Sequence, residues 1–135
     1  MIAIICVDNS GGILFNNRRI SRDSVLTQWI IEHTAGRTLW MRQYSKELFG
    51  NAANANVSED YLEKAKPGEY CFVEDGMSGL YKDNLEAMII CKWNRDYPSD
   101  TKFPENLKGE EWKISVVDEF RGSSHDKITI EKWCK

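Results

Sequence analysis

Three arginines fall within the stretch NNRRISR: Arg18, Arg19 and Arg22. A guanidinium offers paired donors that match a carboxylate or a phosphate. The cluster is therefore a candidate contact for an anionic ligand or for a partner's carboxylates. Together with the five tryptophans, whose rings could stack on bases, it is also the only footing for nucleic-acid binding. That reading is disfavoured, because Trp29, Trp40 and Trp112 fall at core-facing positions and the formal net charge is −3. The other residues able to do chemistry are scattered. Cys6, Cys71, Cys91 and Cys134 form no CxxC pair, and the first three lie inside apolar runs. His33 and His125 are far apart in sequence. A zinc site needs clustered ligands at short spacing, so no metal centre is expected. The cysteines read as small buried hydrophobes, with a reactive Cys91 thiol as the alternative.

The elements that must hold these residues follow from patterning. With 135 residues, 41% of them hydrophobic and 29% charged, the chain has the composition of one globular domain with a real core. No stretch approaches the ~20 apolar residues that span a bilayer. The opening MIAIICVD lacks the charged start of a signal peptide and reads as a first strand. A cytoplasmic protein without membrane association is expected.

IAIICV, continuously apolar and short, predicts a central strand buried on both faces. DNSGG ends it, and NNRRIS follows as a polar loop. Val25, Leu26, Trp29, Ile30 and His33 share one face of a helix, with Ser21 or Asp23 as N-cap and Gly36 at its end. TLWM reads as a second strand, Ser45 as the cap of a brief helix through Leu48, and NAANANV as a connection. Ser58 caps a third helix, SEDYLEKA. YCFVE is a strand, LYKDNLEA a short helix, and MIICKW, WKISVVDEF and DKITIEKW are strands. The last two alternate in polarity and predict an antiparallel pair. YPSDTKFPE, rich in turn formers, connects two of these strands. Crossover helices first and a hairpin-like end last make an α/β domain on a mixed sheet.

In this order the motifs resemble the dihydrofolate reductase family. GGILFNNR is similar to the family's loop after its first strand, and AGRTLWMRQYSKELFG to its second strand and following helix. FVEDGMSGLY sits where the family has a glycine-pair turn, and SDTKFPE is similar to its Asp-Thr-x-Phe-Pro connection. The resemblance implies a single domain over residues 1–135. Its central sheet would be mixed and mostly parallel, flanked by helices, with an antiparallel C-terminal strand pair.

The resemblance also says where this chain departs. The family's acidic residue on the first helix, which orients and helps protonate the pterin, falls at Leu26; Asp23, about a turn earlier, is the nearest acid and the candidate catalytic group, with Asp8 the other nearby choice. The threonine that hydrogen-bonds that acid falls at Cys91. Leu26 with Cys91 leaves nothing unsatisfied, where a lone buried polar group would cost ~1–3 kcal/mol. The implied pocket is lined by Ile5, Cys6, Val7, Leu26, Ile30 and Cys91. Ile20, Ser21 and Ile30 replace the family's proline, tryptophan and stacking aromatic. Cofactor contact falls to Arg42, Gln43, Ser45 and Gly76. The connection from Gly50 to Ser58 looks too short for the strand and loop that grip the adenosine end of NADPH, and the arginine for the folate tail belongs to that missing stretch.

The reading this supports is a dihydrofolate reductase-fold protein that has lost ordinary dihydrofolate reduction and binds an unidentified small molecule or protein. The alternative is an NAD(P)H- or flavin-dependent reductase with another substrate; NADPH is possible but disfavoured. A shortened segment around residues 50–58 would expose a sheet edge that a second copy could cover.

Overall fold

The computed structural model describes residues 1–74, 80, 82–109 and 111–135. The chain runs through β1 (Ile2–Val7), β2 (Gly12–Phe15), β3 (Arg18–Arg19), α1 (Ser24–Thr34), β4 (Leu39–Met41), α2 (Gln43–Phe49) and β5 (Ala55–Val57). It continues through α3 (Tyr61–Lys64), β6 (Tyr70–Phe72), β7 (Ala87–Lys92), β8 (Thr101–Lys102), β9 (Lys113–Phe120) and β10 (Ile128–Cys134). Single 3-10 turns occupy Lys82–Asn84 and Glu105–Leu107.

Seven strands make one sheet in the order β5-β4-β6-β1-β7-β10-β9. β1 lies at its centre, parallel to both β6 and β7, with Cys6 opposite Cys91. β10 runs antiparallel to β7 and to β9, which makes the expected C-terminal pair. Apolar residues at every position of β1 allow burial on both faces. Because side chains alternate along a strand, they divide between two cores. Ala3, Ile5 and Val7 face one cluster with Met88, Ile90 and Trp112. Ile4 faces the other with Phe72, Ile89, Cys91 and Ile130, under Leu26 and Ile30 of α1 and Phe49 of α2. Burying Leu26 and Ile30, exposed by 2% and 1%, stabilises the fold by about 1.5–3 kcal/mol each.

The polar loop expected after β1 is instead a small sheet in the order β3-β2-β8. Asn16 and Asn17 make its two-residue turn, both at positive φ (51° and 61°), which asparagine tolerates better than most residues. The SDTKFPE connection supplies the third strand, Thr101 opposite Leu14 and Lys102 opposite Gly12. Its Asp100 side chain accepts from Asn16 N at 3.0 Å, and Phe103 packs against Trp133. This stretch is thus a clamp on the loop after β1 and not only a connection.

Three further expectations change. Gly50–Ser58 does hold a strand: β5 pairs parallel with β4, Leu39 opposite Ala55, and forms one sheet edge. Ser45 is not a cap, because Arg42 stands at the cap position and Ser45 lies within the first turn of α2. Likewise Asp60, not Ser58, precedes α3, while Ser58 Oγ accepts from Asp60 N at 3.2 Å.

Candidate functional site

A shallow cleft opens to solvent on the α1 side of the sheet, and its own volume is about 20 Å³, room for a single water. Cys6, Leu26, Ile30, Phe72 and Trp93 form its apolar wall, and Arg19, Ser21, Arg22, Asp23 and Glu74 its polar rim. Of the six residues expected to line a pocket, Cys6, Leu26 and Ile30 meet there. Cys91 lies fully buried behind them. Ile5 and Val7 belong to the core on the opposite face, because the pleat of β1 turns them away from Cys6. A hydrogen bond with Cys91, together with burial, pushes the Cys6 thiol well above its ordinary value, so Cys6 stays a thiol.

Asp23 is the N-cap of α1, with extended backbone and its Oδ1 accepting from Val25 N and Leu26 N. The same carboxylate reaches across to the loop before β10. It accepts from Ser123 N at 2.9 Å, Ser124 N at 2.8 Å and Ser124 Oγ at 3.2 Å. Nδ1–H of His125 donates to Oδ2 at 2.8 Å. Burial works to raise the Asp23 pKa, but the His125, Ser124, Ser123 and Leu26 hydrogen bonds outweigh it and hold the carboxyl well below the ordinary range. A carboxylate so held has no proton to give. Asp8 is in the same condition: against its burial, Gly12 N, Tyr97 N and Ser10 lower it.

What Asp23 orients is His125. The imidazole is 4% exposed and stacks on Trp93 at 4.5 Å. The other ring nitrogen, Nε2, points away from Asp23. It faces Ser21 Oγ at 2.9 Å and Tyr97 Oη at 2.8 Å, and the two hydroxyls are 3.0 Å apart. Tyr97 is set in place by Asp8, whose Oδ2 accepts from Tyr97 N at 3.1 Å. His125 and Tyr97 were not legible as site residues. Asp23 and His125 are 102 positions apart, and no local pattern joins them.

The arginine cluster divides. Arg18 and Arg22 are exposed, and Arg18 lines an open groove with Phe15, Asn16, Arg19, Ile20 and Pro98. Arg19 turns inward and crosses the cleft. Its Nε and Nη2 bind Glu74 at 2.7 and 2.8 Å in a two-point pair, and Nη1 binds Glu47 at 2.7 Å. The guanidinium lies over the Tyr44 ring at 4.5 Å. The hydrogen bond to Glu74 is the main cause that raises the Arg19 pKa. Both members of the pair are 11% exposed at the side chain.

The residues expected to meet a cofactor are drawn into similar contacts. Ser45 Oγ donates to Glu74 Oε1 at 2.7 Å. Glu59 accepts from Gln43 N at 3.2 Å and from Arg42 Nε at 3.0 Å. These bonds, Gln43 N first, lower the Glu59 pKa. Gly76 lies outside the described residues. The described donors thus face carboxylates of the chain itself. Among the described residues, no group of three or more His, Cys, Asp or Glu could hold a metal ion, and no helix is long and apolar enough to cross a membrane.

No protein-family model and no curated protein matches the sequence. Solved structures do. One is described as dihydrofolate reductase from Enterococcus faecalis complexed with NADP(H) and RAB-propyl. It is 14% identical, with a TM-score of 0.67, over 98% of this chain and 94% of that one.

Proposed function

We propose that the chain, which has a dihydrofolate reductase-like fold, uses this scaffold as a small-molecule-binding domain and does not carry out ordinary dihydrofolate reduction. The observation that carries this reading is the Arg19–Glu74–Ser45 network, which fills the rim of the cleft with the protein's own ion pair. To admit a phosphate at Arg19, Glu74 would have to leave both Arg19 and Ser45. The cleft floor points the same way. Leu26 supplies no proton, and Asp23, the nearest acid, is fully committed as a hydrogen-bond acceptor. General acid catalysis needs a titratable proton within reach of the substrate. The wall of Leu26, Ile30, Phe72 and Trp93 is apolar and suits a small, largely apolar ligand.

Titration with NADPH tests the reading, followed by tryptophan fluorescence and by melting temperature. Trp93 lines the cleft and reports on occupancy. At millimolar NADPH neither signal is expected to change. Saturable binding at micromolar concentrations with a raised melting temperature would return the chain to the nicotinamide-dependent reductases.

A further inference from the structure

We propose that Ser21 is a nucleophile, activated by His125 and Asp23, and that the cleft has acyl-transfer activity toward small esters with an apolar acyl group. The arrangement is a chain of three side chains in contact. Ser21 Oγ meets His125 Nε2 at 2.9 Å, and His125 Nδ1 meets Asp23 Oδ2 at 2.8 Å. That is the order of nucleophile, base and orienting carboxylate that activates a serine wherever it occurs, on unrelated folds and in any sequence order. The base and the carboxylate are each held by something independent of the chain of three. Asp23 is fixed by the helix N-cap and by the N–H groups of Ser123 and Ser124. His125 is fixed by its stack on Trp93. Ser21 is half-buried and lines the cleft beside Leu26 and Phe72, so it is the member of the three that a ligand entering the cleft would meet first.

In the step, the Ser21 oxygen adds to the ester carbonyl and its proton passes to His125 Nε2. The carbonyl electron pair moves to oxygen, and the Tyr97 hydroxyl, 3.0 Å from Ser21 Oγ, is placed to donate to that oxyanion. Collapse breaks the bond to the leaving alcohol, which takes the proton from Nε2. Water then repeats the sequence on the acyl-serine, releasing the acid and restoring Ser21. Asp23 stays ionised throughout as a positioning residue. The proposal shares the cleft with the binding reading but does not depend on the absence of a cofactor. NADPH binding would overturn that reading and leave this one standing.

The test is labelling of the folded protein with a fluorophosphonate, read by intact mass and peptide mapping. p-Nitrophenyl acetate hydrolysis provides the turnover readout. One label on Ser21 is expected, absent from heat-unfolded protein and from Ser21→Ala. Hydrolysis should fall to background in Ser21→Ala and about 100-fold in Tyr97→Phe, the scale for losing one oxyanion donor. No label beyond that of unfolded protein, or a label mapped to another residue, would overturn the proposal. Mapping is done on the unaltered chain, so its outcome does not depend on any variant folding.

Discussion

Asp23 gathers six hydrogen bonds onto one carboxylate, from the first turn of α1, from two serines and from an imidazole. At the scale of a single residue this makes it a structural anion first. Asp23→Ala would leave two buried and four part-buried hydrogen bonds unmade, and we expect a loss of about 3–5 kcal/mol in urea unfolding at pH 7. The pH dependence has a definite sign. A carboxyl whose folded pKa lies below its unfolded value of ~3.9 contributes stability fully above that value, and loses it as pH falls toward the folded pKa. The wild-type advantage over Asp23→Ala should therefore be level from pH 7 to about 5 and shrink below pH 4. An advantage unchanged at pH 3 would contradict the hydrogen-bonded carboxylate. Asp23 was legible in the sequence as a cap, since an aspartate before an apolar helical stripe satisfies orphan N–H groups. Its grip on residues 123–125 was not, because nothing local encodes a contact across a hundred positions.

At the scale of elements, the loop between β9 and β10 is the device that closes the site. Gly122 N donates to His125 O at 2.9 Å and turns the chain so that Ser123, Ser124 and His125 all face Asp23. A Cβ at Gly122 would run into the Asp23 carboxylate, with Cγ only 2.7 Å away. Gly122→Ala is expected to cost about 1–3 kcal/mol, the scale for overfilling a packed site. An unchanged urea midpoint would mean the loop does not wrap the carboxylate. The elements themselves were largely readable, because strand and helix periods are local. β1, β7, β10 and α1 declare themselves by continuous or periodic apolar runs. The misses are strands of two to four residues, β2, β3, β5 and β8, whose existence depends on a partner elsewhere. Ile5 and Val7 lie away from the cleft for a reason the sequence does not carry: a strand apolar at every position does not say which residues face which layer.

At the scale of the whole molecule, β1 carries one core on each face, and the α1 side carries the cleft. The motif order, from GGILFNNR to SDTKFPE, was enough to indicate the fold, since each motif is a turn, strand or strand-and-helix stretch whose residue types are locally constrained. The cleft's contents were not, because Arg19 and Glu74 are separated by 55 positions and meet only once the sheet is assembled. That meeting is the central claim: Arg19 is committed to the protein and is not a free guanidinium awaiting an anion. A double-mutant cycle with Arg19→Met and Glu74→Gln, read by urea unfolding, measures it directly. Coupling of about 1–3 kcal/mol is predicted for a desolvated two-point pair. Effects that add to within ~0.3 kcal/mol would leave Arg19 uncommitted and the rim open to a phosphate, and would contradict the account.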